Sequence, residues 1–133
     1  MIRDKRMLGY AYALTFKSEH KIPVAAILSR GNSIIGQSTN VIKTHPLQKN
    51  QYMREDYSKS HALSTHAEVM LLGNLKYSKK HTLYICRRRK DGFLGMAKPC
   101  PVCMDVVEKS GVGKVVYSIS GNIKNPHCGV MYI

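Results

Sequence analysis

The chain has 133 residues and 44% hydrophobic content, enough for one compact globular domain over residues 1–133 and too little for two ordinary ones. Charged residues, 22% of the total, are spread along the chain, which excludes a fully disordered protein. No stretch reaches membrane-spanning length and no apolar run follows the basic start Met1–Arg6, so a soluble cytoplasmic protein without a signal peptide is expected.

Arg3 to about Lys17 carries Met7, Leu8, Ala11 and Leu14 at helical spacing and predicts an amphipathic helix. Val24–Leu28 and Ser33–Gln37 read as two strands joined by a turn at Arg30-Gly31-Asn32. Residues 40–64 are polar and lack a clear period, a loop long enough to suggest function. A second helix is expected from near Thr65 to about Leu75, burying Ala67, Met70, Leu71 and Leu75. Thr82–Cys86 predicts a third strand, and a basic glycine-containing loop should run from Arg87 to Lys98. Pro99-Cys100-Pro101 opens a third helix to about Ser110, closed by Gly111 and Gly113. Lys114–Ile119 predicts a fourth strand and Gly129–Ile133 a short fifth. Only nine residues, Ser120 to Cys128, separate these last two. A parallel crossover needs about a dozen or more, so they should be antiparallel neighbours. The alternation predicts helices covering a mixed sheet of five strands in an α/β protein.

Lys and Arg number 21 against eight Asp and Glu, a formal net charge of +13. Such an excess favours polyanions through counterion release. A solubility charge or a small phosphate-bearing substrate would also suit it. Cysteines stand at 86, 100, 103 and 128. In a cytosolic chain they should be reduced, so Cys100-x-x-Cys103 suggests metal or redox chemistry before a disulfide.

His66-Ala67-Glu68 opens one predicted helix and Pro99-Cys100-Pro101-Val102-Cys103 opens another. One imidazole and two thiolates supply three ligands to a zinc ion and leave a fourth position for water. A helix N-terminus favours the thiolate forms. His66 and Glu68, two apart, would diverge in mid-helix and converge only if the metal sits beyond the helix start. Each element has a plainer explanation. Thr65-x-x-Glu68 is also a capping-box spacing, and Cys-x-x-Cys could be a redox pair or half of a structural zinc site completed by His127 and Cys128. Together, with thirty residues between Glu68 and Pro99, they match the His-x-Glu then Pro-Cys-x-x-Cys pattern of zinc deaminases.

On these motifs the sequence resembles the cytidine deaminase superfamily, in particular small phage- or toxin-type members. The resemblance implies a three-layer α/β/α fold and one catalytic zinc held by His66, Cys100 and Cys103, with Glu68 as proton shuttle. It also implies substrate contacts at Asn40, Ala67 and Pro99, the amides of Ala67 and Cys100 holding the base. Asn40–Pro46 is similar to a loop in small, mostly phage-borne members. An antiparallel last strand belongs with the cytidine-deaminase and toxin branch, since adenosine- and antibody-type members have a helix before a parallel fifth strand.

Lys43 and His45 in one long loop, and Arg87, Arg88, Arg89 and Lys98 in the other, are candidate phosphate or nucleic-acid contacts. The favoured expectation is deamination of cytosine to uracil in single-stranded nucleic acid, DNA before RNA. The alternatives are a free-nucleotide deaminase of the deoxycytidylate or cytidine type, and a non-enzymatic basic nucleic-acid-binding domain with structural zinc on Cys100, Cys103, His127 and Cys128. No membrane partner is expected, and no interface periodicity marks an oligomeric state.

Overall fold

The computed structural model describes residues 2–18, 20–40, 71–72 and 77–133. Its elements in chain order are α1 (Ile2–Thr15), β1 (Val24–Arg30), β2 (Ser33–Thr39), β3 (His81–Arg88), β4 (Leu94–Gly95), α2 (Pro101–Ser110), β5 (Lys114–Gly121) and β6 (Pro126–Tyr132). The strands form one sheet in the order β2-β1-β3-β5-β6, with β4 attached to β3. The pairing is mixed. β1 is antiparallel to both β2 and β3, β3 and β5 are parallel, and β5 and β6 are antiparallel.

The short final connection therefore does what its length requires, turning the chain back beside β5. A sixth strand departs from the expected five, because Leu94–Gly95 pairs with Arg87–Arg88. Two residues carry no readable periodicity, so the pairing was invisible in the sequence. β3 also runs two residues further than expected, into the first two arginines.

Alternation along the central strands sends side chains to two cores. Ala25 and Ile27 of β1, Tyr84 and Cys86 of β3, and Val116 of β5 meet Met7, Leu8 and Ala11 of α1. Ala26, Leu28, Leu83, Ile85 and Val115 meet Cys103, Val106 and Val107 of α2, and Leu72, on the opposite face. The sheet is buried on both sides between helical layers, as the three-layer expectation required. Leu71–Leu72 is helical. Leu72 rather than the expected Leu71 is the fully buried residue, while Leu71 is half-buried and lies against Gly36. Ala67, Met70 and Leu75 lie outside the described residues.

α2 ends as its sequence dictates. Gly111 takes a left-handed conformation (φ 88°) as C-cap, and a Cβ there would strike the carbonyl of Tyr77. Glycine is needed twice over, for the backbone angle and for the close approach.

A buried polar triad ties α1 to the sheet. Asp4 is 5% exposed, accepts from the Tyr84 hydroxyl at 2.7 Å and pairs with Lys114 Nζ at 3.1 Å. Burial alone would raise the Asp4 pKa, but hydrogen bonds from Tyr84 and Lys114 and the Lys114 charge hold it below the usual carboxylate range. Burial first, and the bond to Asp4 second, push the Tyr84 hydroxyl well above its ordinary value.

A carboxyl depressed in the folded state stabilises above its unfolded pKa and loses that contribution as pH falls through the folded value. A raised phenol contributes fully below its unfolded pKa and loses it as pH rises. Stability should therefore decline below about pH 4 and again above about pH 10. Asp4→Asn should lower it by about 1–3 kcal/mol at neutral pH and flatten the acid limb. Denaturant midpoints measured across pH check both, and an unchanged acid limb in the variant would refute the assignment.

Candidate functional site

The described candidates gather at one end of the sheet. Asn40 follows β2 and bonds to the start of β1, its amide donating to the Val24 carbonyl at 3.0 Å. Val24 in turn lies opposite Arg87 near the end of β3. This is the carboxyl end of the parallel pair β3 and β5, where open α/β sheets place their ligand crevices.

Parallel pairing of β3 with β5 ends at Ile85 opposite Tyr117. Beyond it the chain leading to α2 enters between the strand ends. Gly95 pairs with Arg87, and the Ala97 amide donates to the Ser118 carbonyl at 2.8 Å. The buried Ser118 hydroxyl donates to the Gly95 carbonyl at 2.7 Å and accepts from the Arg87 amide at 3.1 Å. One side chain thus joins β3, β4 and β5. Its mark in the sequence is a lone serine within the otherwise apolar run Val115–Ile119.

Pro99 is buried and Cys100 half-buried. Cys100 is the N-cap of α2, with extended backbone (φ −68°, ψ 166°), and its side chain does not cap the helix. The Met104 amide closes the first turn on the Cys100 carbonyl at 2.8 Å. Pro101 occupies the first turn, where its missing N–H is no loss. Cys103, one turn in, is fully buried, and Cys100 packs at the edge of the same core. Two sulfurs at one helix start, facing one core, fit a soft divalent ion such as zinc.

His66, Ala67 and Glu68, like Lys43 and His45, lie outside the described residues. Among the described residues no group of three or more His, Cys, Asp or Glu side chains could hold a metal. This bears on the alternative structural site. Cys103 belongs to the α2-side core, whereas Cys128 packs against the α1-side core, across the sheet. His127 is exposed and within 3.3 Å of the Ser120 hydroxyl. The tetrad of Cys100, Cys103, His127 and Cys128 does not assemble, because strand alternation puts its members on opposite faces. Burial pushes the Cys86 thiol up to about 12 and also raises that of Cys128. None of the four cysteines is in a disulfide.

Asn40 is buried and heavily engaged. Its Oδ1 accepts from Ser18 Oγ at 2.5 Å and from the Val24 amide at 3.1 Å, while Nδ2 donates to the Ile22 carbonyl at 2.8 Å. These bonds use both Oδ1 lone pairs and one of two amide hydrogens. Asn40 is first a clamp on the chain entering β1.

The three arginines separate. Arg88 sits on the α1 face, donating through Nε to Thr15 Oγ1 at 3.1 Å, with its guanidinium 4.0 Å from the Phe16 ring centroid. That partnership is structural and directs Arg88 away from the candidate site. Arg87 and Arg89 alternate to the α2 face, where both lie beside Gly95. Arg89 pairs with Asp91 at 2.9 Å. Lys98 is exposed, as are Phe93 and Met96 earlier in the same connection.

Residues 1–119 match the family model described as the cytidine and deoxycytidylate deaminase zinc-binding region. The chain belongs to this family. Its fold is also that of a cytidine deaminase from Burkholderia pseudomallei, whose crystal structure superposes with a TM-score of 0.59, covering 96% of this chain and 90% of that one at 16% identity. No curated protein matches the sequence. The family match includes every motif residue from His66 to Cys103 and stops two residues before the end of β5.

Ser118→Ala would leave the Arg87 amide and the Gly95 carbonyl without their shared partner. It should destabilise by about 1–3 kcal/mol. Thermal melts check this, and an unaltered melt would refute the bridging role.

Proposed function

We propose that this protein hydrolytically deaminates cytosine to uracil in a phosphate-bearing substrate, with single-stranded DNA favoured. The observation that carries the chemistry is the paired placement of Cys100 at the start of α2 and Cys103 one turn inside it, within a chain of the cytidine and deoxycytidylate deaminase family. His66 would complete the ligand set. A zinc ion bound there supplies the Lewis acidity that lets water attack at neutral pH.

The chain's own part in the reaction is proton movement and positioning. Glu68 takes a proton from the attacking water and delivers it to the ring nitrogen. Once the new C–O bond has formed, the same carboxylate takes the second proton from the resulting hydroxyl and passes it to the amino group. That group leaves as ammonia as the C–N bond breaks and the carbonyl forms, so Glu68 acts as base and as acid in turn. The amides of Ala67 and Cys100 and the buried Pro99 would hold the base. Asn40, already fixed by Ser18, Ile22 and Val24, would present its remaining amide hydrogen to the sugar.

Support for a polynucleotide comes from the net charge of +13 and from Phe93, 47% exposed, whose carbonyl accepts from the Arg89 amide at 2.8 Å. Cationic grooves with exposed aromatics suit single strands, because every base has a face to stack. A free nucleotide remains the second substrate class, since two arginines suffice for one phosphate. The expected setting is a soluble cytoplasmic one.

Glu68→Ala should retain zinc and fold yet lose turnover, whereas Cys103→Ala should lose the metal. Incubation with dCMP, cytidine and a mixed single-stranded oligonucleotide, followed by mass spectrometry, should reveal a gain of about one dalton at cytosine. Retained activity in pure Glu68→Ala protein would overturn the assignment. Turnover on the oligonucleotide should fall steeply with salt, while activity confined to dCMP would select the nucleotide.

A further inference from the structure

We propose that Arg87 and Arg89, laid side by side over Gly95, form a binding site for one phosphate group of the substrate. The inference rests on the deaminase reading above and adds to it a specific pair of residues, excluding their neighbour Arg88.

The geometry is set by β3–β4 pairing. Gly95 is buried and faces Arg87 across the ladder. A Cβ built on Gly95 would lie 3.0 Å from Arg87 Cδ, 3.2 Å from Arg87 Nε and 3.2 Å from Arg89 Cγ. The absent side chain is therefore the floor on which both cationic stems rest. Two cationic side chains whose stems meet over one residue gain from an anion placed between their head groups. Asp91 serves Arg89 at 2.9 Å, with both side chains about half-exposed. Arg87 has no carboxylate partner among the described residues, and its Nε is buried without a hydrogen-bond partner. A buried unsatisfied donor is uncommon and unfavourable. An anion that drew the guanidinium slightly off Gly95 would recover that donor and add a charge-assisted, two-pronged bond. The pair lies on the face that carries Ile85, Ala97 and Cys103, at the same end as Cys100. A phosphate there would sit beside the candidate metal site, at the carboxyl end of β3.

Binding can be read without turnover. The zinc-loaded protein is titrated against a fluorescent thymidine oligonucleotide, which contains no cytosine, and against dTMP as competitor, with thymidine as the phosphate-free control. Arg87→Gln should weaken oligonucleotide binding about tenfold. Gly95→Ala should weaken it comparably without changing net charge, because the new methyl displaces both stems. Asp91→Asn, which removes the internal anion yet keeps the acceptor for the Phe93 amide (3.0 Å), should tighten binding. Lys5→Gln, the same charge change at an exposed position on α1, should alter affinity less than about twofold, as distant screened charges do. Arg87-dependent competition by dTMP would assign the site to a phosphate monoester. Binding confined to the oligonucleotide would assign it to the phosphodiester of a strand.

The proposal is overturned if Arg87→Gln binds like wild type, or no more weakly than Lys5→Gln. It is also overturned if Gly95→Ala melts at the wild-type temperature and binds normally. Failure of the deaminase reading is separately visible as absence of turnover on every cytosine substrate by the zinc-loaded wild type, whatever the binding variants do.

Discussion

Parallel pairing between β3 and β5 holds only as far as Ile85 and Tyr117, and the end of the sheet that carries the candidate site is arranged around what replaces it. Buried amides and carbonyls that lose a strand partner must find another. Here they find residues 94–97, whose backbone enters between the strand ends, and the hydroxyl of Ser118, which serves both sides of the gap. Three residues later the same chain reaches Cys100 and the start of α2. The position of the thiol pair thus follows from hydrogen-bond satisfaction at the split in the sheet, together with the burial of Cys103 among Leu83, Ile85 and Val115.

The sheet also separates chemistry by face. On the α1 side lie the Asp4–Tyr84–Lys114 triad, the buried thiol of Cys86 and half-buried thiol of Cys128, and Arg88 stacked on Phe16. All of these hold α1 in place. On the α2 side lie Cys100, Cys103, Arg87 and Arg89. A period-two backbone makes the division, so three consecutive arginines have two fates. This limits how far a net charge of +13 can be turned into a binding surface, since part of it is committed to internal packing and internal ion pairs.

Much of the fold was legible because its signals are local. Met7, Leu8 and Ala11 repeat at helical spacing and do face one core. Gly111 stops α2 with the positive φ that its position implied. Nine residues between the last strands left no room for a crossover, and β6 does run antiparallel to β5. The misses are non-local. Leu94–Gly95 is a strand only because β3 offers it a partner, and Leu72 takes the buried place expected of Leu71 because the docking of its helix sets which side faces inward. Asn40 looked like a substrate contact by position, yet its side chain also closes the loop from Ser18 to Val24.

By itself the sequence determined the family, the three-layer order of elements and the candidate residues His66, Glu68, Cys100 and Cys103, because motif spacing and chain length constrain geometry within a few residues of backbone. Tertiary structure alone decided that Cys128 lies across the sheet from Cys103 and that Arg88 turns from its neighbours. It alone placed Ser118 at the split and the paired arginines over a glycine floor. Those outcomes depend on which strand lies beside which and on the face each residue presents. Both are settled by long-range hydrogen bonding and burial rather than by the identity of adjacent residues.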